Sequence, residues 1–149
     1  MFMIKKTICL MMCFFLFFVF VGCNKNEVTA GDIIKVPVEL TKNPGMVAAS
    51  FEIEYDTDAF QFLGKNDGDV LGDVTVNQSK GKISAVLVEK DFSSMKDNTD
   101  TGTLFTIKFK VRAGAKPGEY KFKITNYQFI NINEQEVKAV VNIPQITIK

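Results

Sequence analysis

The chain has 149 residues, with 18 basic and 17 acidic side chains, no His, no Trp and three Cys, for a formal charge of +1. This length supports one domain at most. Without His the usual general base near neutral pH is missing, as are His-containing zinc sites and most hydrolytic triads, and an evenly spread charge excludes the basic face that a nucleic-acid partner requires.

Met1 to Lys6 carries the two charges of Lys5 and Lys6, and Thr7 to Val21 is an apolar run, the n-region and h-region of an export signal. At about 15 residues the run is shorter than the roughly 20 a helix needs to cross the hydrocarbon core. It closes on Phe20-Val21-Gly22-Cys23 and turns at once to polar Asn24-Lys25-Asn26-Glu27. This resembles a bacterial lipobox, with Phe20 where that motif usually has Leu. The resemblance implies cleavage between Gly22 and Cys23, with Cys23 carrying a diacylglyceryl thioether as the new N-terminus. Residues 1–22 are then a lipoprotein signal peptide, 23–27 the lipidated Cys23 and a short tether, and 28–149 a domain held at the extracytoplasmic face of the cell membrane. The alternatives are an ordinary signal peptide or an uncleaved anchor. Cys9 and Cys13 lie in the leader, so only Cys23 would survive processing and no intramolecular disulfide could form. Losing Lys5 and Lys6 turns the net charge from +1 to −1.

The remainder reads as strands. Ile34, Val36, Val38 and Leu40 alternate with Lys35, Pro37 and Glu39, which predicts a half-buried strand lying at an edge or carrying a bulge at Pro37. After the turn Asn43-Pro44-Gly45, Phe51, Ile53 and Tyr55 alternate with Ser50, Glu52 and Glu54. The rhythm recurs at Phe105, Ile107, Phe109 and Val111, and at Tyr120, Phe122 and Ile124 beyond the turn at Gly114 to Gly118. Shorter runs at Phe60 to Leu63, Val74 to Val76, Ile83 to Val88, Tyr127 to Ile132, Val137 to Ile143 and Ile146 to Ile148 bring the expectation to about nine or ten strands, a β-sandwich.

The order of these features resembles a cohesin domain. The resemblance is carried by Ala30-Gly31-Asp32 before Val36-Pro37-Val38, by Phe51-Glu52-Ile53-Glu54-Tyr55-Asp56, by Gly68-Asp69-Val70-Leu71, and most of all by Gly102 to Val111 followed by Ala113 to Gly118. It implies an all-β, nine-stranded jelly-roll sandwich with no catalytic role, which binds dockerins, small calcium-loaded helical modules attached to enzymes, through one flat sheet face. By the same resemblance, Ala48, Ser50 and Glu89 match positions that contact the partner. Ala48 departs from the polar residue usual there, and Ser50 and Glu89 read equally as solvated outward residues. The implied setting is polysaccharide degradation. The competing readings are a carbohydrate-binding module and an adhesion or envelope lipoprotein.

Other constellations read as structure. An EF-hand loop starting at Asp67 would place Leu71 and Gln78 where ligands are needed, so Asn66 to Asp73 reads as a turn. Asp97 to Gly102 reads as a surface loop, and Asp56 and Asp58 as turn formers. No resident cofactor is expected, and calcium is expected on the partner in preference to this domain. Lys108, Lys110, Lys121 and Lys123 are expected on one outward face, solvated or docked on an acidic partner or anionic headgroups. Sugar platforms are commonly Trp, which is lacking, and Tyr55 and Tyr120 alternate in phase with core residues, which leaves Tyr127 as the one tyrosine the pattern does not assign.

Overall fold

The computed structural model describes residues 27–89 and 99–149. Residues 1–26, which include the expected leader and Cys23, and Asp97 and Asn98 of the stretch expected to be a surface loop, lie outside the described residues.

Alternation of apolar and polar side chains sets the backbone, because successive side chains of a strand point to opposite faces. In chain order the strands are β1 (Glu27–Val28), β2 (Ile33–Lys42), β3 (Ala48–Glu54), β4 (Phe60–Asp67), β5 (Val74–Ser79) and β6 (Lys82–Val88). They continue with β7 (Gly102–Val111), β8 (Gly118–Tyr120), β9 (Lys123–Ile130), β10 (Val140–Asn142) and β11 (Ile146–Ile148). No helix occurs among the described residues. One sheet has the order β10-β2-β7-β4 and the other β5-β6-β3-β9, and a small third sheet, β1-β11-β8, ties the first strand to the last.

The inner faces of the two large sheets meet in one core. Val36, Val38, Ile53, Ile83, Leu87, Phe105, Ile107 and Phe109 are fully buried in it, each worth about 1.5–3 kcal/mol of apolar burial. Phe51 of one sheet stacks on Phe105 of the other with ring centroids 6.0 Å apart. Phe109 gathers Tyr55 at 4.9 Å, Phe122 at 5.5 Å and Phe60 at 5.6 Å. The all-β sandwich expected from the pattern is the fold observed.

Three local expectations resolve differently. β2 is not an edge strand, since β10 and β7 flank it, but β10 pairs with it only at Glu39, Leu40 and Lys42, so Pro37 lies outside that pairing, and the register shift against β7 comes after Pro37, between Val38 and Glu39. The strand expected through Tyr120, Phe122 and Ile124 is broken. Tyr120 ends β8 against Ile146, whereas β9 begins at Lys123 against Glu54, because the chain changes sheets in between. The shared lysine face fails for the same reason. Lys108 and Lys110 belong to β7, Lys123 opens β9 in the opposite sheet, and Lys121 lies in the crossover. Alternation separates inside from outside within a strand, but says nothing about which sheet the strand joins.

Candidate functional site

The outer face of β5-β6-β3-β9 is built by the residues out of phase with the core. Ala49, Phe51 and Ile53 of β3 and Ile83, Ala85 and Leu87 of β6 are buried, so Ala48, Ser50, Glu52 and Glu54 face outward beside Val88, Val86, Ser84 and Lys82, their register partners. On the other flank, β9 brings Ile130 beside Ala48, Gln128 beside Ser50, Thr125 beside Glu52 and Lys123 beside Glu54. The face is therefore four rows deep along the strands. Two residues of β9, Asn126 and Tyr127, stand opposite Phe51 alone, and Asn126 takes the left-handed conformation at φ 49°. Without this bulge Gln128 and Ile130 would point into the core.

The first two rows frame a shallow hollow of about 190 Å³ between Ala48, Ser50, Val86, Val88, Gln128 and Ile130. Val86 is 49% and Val88 36% exposed, unusual for aliphatic side chains on a solvated sheet face. The last two rows carry a polar network. Glu52 accepts from Lys82 Nζ at 3.2 Å and from Asn126 Nδ2 at 2.7 Å, and Glu54 lies 3.3 Å from Lys82 and 4.0 Å from Lys123. The Lys82 hydrogen bond, then that of Asn126, holds the Glu52 carboxyl below its ordinary value of 4.5. The hydrogen bonds to Glu52 and Glu54 hold the Lys82 ammonium above 10.5. The pair is thus ionised at neutral pH. Its contribution to stability fades only as pH falls through the lowered Glu52 value or rises through the raised Lys82 value.

Of the residues singled out in the sequence, Ser50 stands in the second row, at the hollow. Glu89 follows Val88 at the end of β6, its N–H donating to the Val47 carbonyl at 2.8 Å, so both belong to the same end of the face. Val86, Val88, Gln128 and Ile130 were missed. The signal was present for two of them: Val86 and Val88 are apolar in the outward phase of a strand whose inward phase is already Ile83, Ala85 and Leu87.

Elsewhere the candidate groups do structural work. Asp56 Oδ1 accepts the N–H groups of Asp58 at 2.8 Å and Ala59 at 3.2 Å, closing the turn into β4. With Asp58, Arg112, Lys116 and Tyr120 it borders a polar cleft of about 690 Å³. Asp69 Oδ1 accepts the Thr103 N–H at 2.8 Å, tying the loop before β5 to β7. Among the described residues no three His, Cys, Asp or Glu side chains are placed to hold a metal ion. Tyr55 and Tyr120 pack against the core. Burial raises the Tyr55 phenol above its ordinary value, opposed by a 2.9 Å hydrogen bond from Gln78. Tyr127 stays 62% exposed and stacks on Phe129, their centroids 5.9 Å apart.

A family model described as the cohesin domain matches residues 19–148. A cellulosome-anchoring protein of Acetivibrio thermocellus is 32% identical over 105 residues, which are 65% of this chain and 24% of that protein. The chain thus spans about a quarter of that relative's length. The fold is similar to a cohesin from a type I cohesin–dockerin complex of Clostridium thermocellum, at 24% identity and TM-score 0.73 over 83% of this chain and 93% of that one. It is also similar to a non-cellulosomal cohesin of the archaeon Archaeoglobus fulgidus, at 15% identity and TM-score 0.69 over 83% and 85%.

Proposed function

The chain belongs to the cohesin family, whose members are non-catalytic protein-binding modules, and on that premise we propose that it binds a dockerin through the outer face of β5-β6-β3-β9. The observation that carries the reading is the hollow between Ala48, Val86, Val88 and Ile130. Solvated sheet faces are normally polar, and a contiguous apolar hollow on a rigid, flat face is suited to exclude water beneath a partner. Ser50 and Glu89 are the candidate polar contacts around it. Dockerins carried by enzymes would make this chain a recruiting module, with polysaccharide degradation as its setting.

The leader adds a location to this reading. Cleavage before Cys23 and acylation of its thiol would hold the sandwich at the extracytoplasmic face of the membrane on a tether of a few residues. Lipid anchoring and partner capture together make a surface receptor for soluble enzymes.

The test is a pull-down from secreted and surface proteins with residues 24–149, run with calcium and with a chelator. Calcium-dependent recovery of a dockerin-bearing protein is expected. Recovery of no protein partner, together with retention on cellulose or xylan, overturns the reading in favour of a carbohydrate-binding lipoprotein using exposed Tyr127.

A further inference from the structure

The outer face of the opposite sheet, β10-β2-β7-β4, is cationic at the end where β2 begins and β7 finishes. Ile34 and Val36 of β2 and Phe109 and Val111 of β7 are buried, so Ile33, Lys35, Lys108 and Lys110 share the outward phase. The register sets Ile33 and Gln61 on either side of Lys110, and Lys35 and Gly64 on either side of Lys108. One row further, Pro37, Thr106 and Asn66 add no charge, and the first acid in the outward phase of β2 is Glu39, opposite Thr103. Asp32, just before the strand, accepts from the N–H and the hydroxyl of Thr29. Two apolar side chains flank the lysines: Ile33 is 67% exposed, and Leu63, the extra residue at the register shift of β4, is 44% exposed.

Lys35 and Lys108 stand directly opposite each other, an arrangement of like charges that weakens a sheet, and Lys110 adds a third ammonium two residues along β7. Among the described residues none of the three forms an ion pair with a carboxylate, unlike Lys82 and Lys123 of the other sheet, which pair with Glu52 and Glu54. Repulsion that the fold leaves uncompensated is relieved when a negative surface approaches. Three ammonium groups and two exposed aliphatic side chains on a flat sheet match a bilayer interface, with headgroup phosphates for the lysines and the boundary just beneath them for Ile33 and Leu63. A tether from Cys23 to Glu27 spans roughly 10–15 Å at full extension, and the chain then enters the fold only a few residues before Ile33. An anchored domain therefore meets the bilayer at high effective concentration.

Resting on the membrane attachment proposed above, we infer that this face docks on anionic phospholipid, with Lys35, Lys108 and Lys110 on headgroup phosphates and Ile33 and Leu63 dipping between them. The inner faces of the two large sheets meet in the core, so their outer faces look in opposite directions. Docking through one of them turns β5-β6-β3-β9 toward the solution. The anchor then sets where the domain is held, and the lysine cluster sets how it is oriented.

The experiment uses the full-length protein, purified in detergent from bacteria that process lipoproteins and reconstituted on vesicles of phosphatidylcholine alone or with about 30% phosphatidylglycerol, which gives the surface a negative potential. Flotation reports attachment, and brief acylation of amines followed by mass spectrometry reports which lysines are covered. The protein is expected to float with both vesicles. Lys35, Lys108 and Lys110 are expected to react about threefold or more slowly on the anionic vesicles and to lose that protection at about 500 mM NaCl, where screening leaves little attraction. Lys82 and Lys123 of the other sheet are expected to react alike on both. Lys35→Glu should remove the protection of Lys108 and Lys110 while leaving the urea midpoint unchanged or higher, because it turns a repulsive cross-strand pair into an attractive one. Flotation with both vesicles and equal reactivity of the three lysines overturns the inference and leaves attachment standing. Protection by a soluble polyaspartate peptide that anionic vesicles fail to give assigns the face to an acidic protein and overturns it as well. Flotation with anionic vesicles alone, the three lysines covered, sustains docking and overturns the anchor, whereas flotation with neither overturns both.

Discussion

Gly68 has no room for a side chain. A β-carbon there would lie 1.9 Å from the Thr103 carbonyl oxygen and 2.6 Å from that of Leu104, because the loop between β4 and β5 lies directly on β7. The Gly68 N–H reaches the Leu104 carbonyl at 3.2 Å, and the Asp69 N–H reaches that of Thr103 at 2.9 Å. The sequence offered two readings of Asn66 to Asp73, a cation loop and a turn, and the geometry shows why acids and glycines gather there. Asp69 supplies an acceptor for the Thr103 N–H, and Gly68 permits the approach that makes this possible. Gly68→Ala should therefore force the loop off β7 and cost about 1–3 kcal/mol, the range for overpacking a closed site. Urea denaturation measures it, and a loss below a few tenths of a kcal/mol would mean that the loop moves freely. Calcium should not offset the loss, since these carboxylates serve the backbone.

Among the strands, β7 was the easiest to read and is the mechanical centre of the sandwich. Its inward residues Phe105, Ile107, Phe109 and Val111 are all fully buried, and it lies between β2 and β4 in its sheet. Phe109 touches four other rings, those of Tyr55, Phe60, Phe62 and Phe122, so its removal leaves a cavity walled by stiff groups that cannot collapse to fill it. Phe109→Ala should cost about 3–5 kcal/mol, seen as a lower urea midpoint at unchanged slope, whereas Lys110→Ala on the outer face should fall within about 0.5 kcal/mol. Equal effects would mean that the aromatic cluster is not what joins the sheets. β9 was the hardest to read, for a physical reason. A bulge adds a residue to one strand only, and the backbone freedom it needs can be supplied by an Asn in the left-handed region, a signal too common to locate it. The outward placement of Gln128 and Ile130, and so one flank of the hollow, depended on that one residue. Val86 and Val88 were legible in principle, but a search for polar contacts passes over aliphatic residues in an outward phase.

On the scale of the whole molecule, fold and attachment are separate problems, with separate information in the sequence. The sandwich follows from many weak and mutually consistent signals, so errors at Lys123 or Pro37 do not alter it. The proposed attachment rests on four residues, Phe20 to Cys23, and a single atom, the Cys23 sulfur. That dependence makes it sharply testable. One acyl chain gives only marginal, reversible membrane binding, whereas two or more, at about 0.8 kcal/mol per buried methylene, hold a domain at the surface. A lipid-modified cysteine at the N-terminus would reach β1 through the few residues from Asn24. There the Val28 carbonyl accepts the Lys149 N–H at 2.9 Å, and Glu27 pairs with the Lys149 ammonium at 2.5 Å, so the chain enters the fold beside its last strand. In bacteria that process lipoproteins, the protein should incorporate a palmitate analogue and its mature mass should lack residues 1–22. Cys23→Ser should abolish the label and leave the leader attached. Label that persists in Cys23→Ser, or a mature chain beginning elsewhere than Cys23, would replace the lipid anchor with a plain signal peptide or an uncleaved one. The sandwich and its proposed docking face would be unchanged, because every residue of the hollow lies at or beyond Ala48.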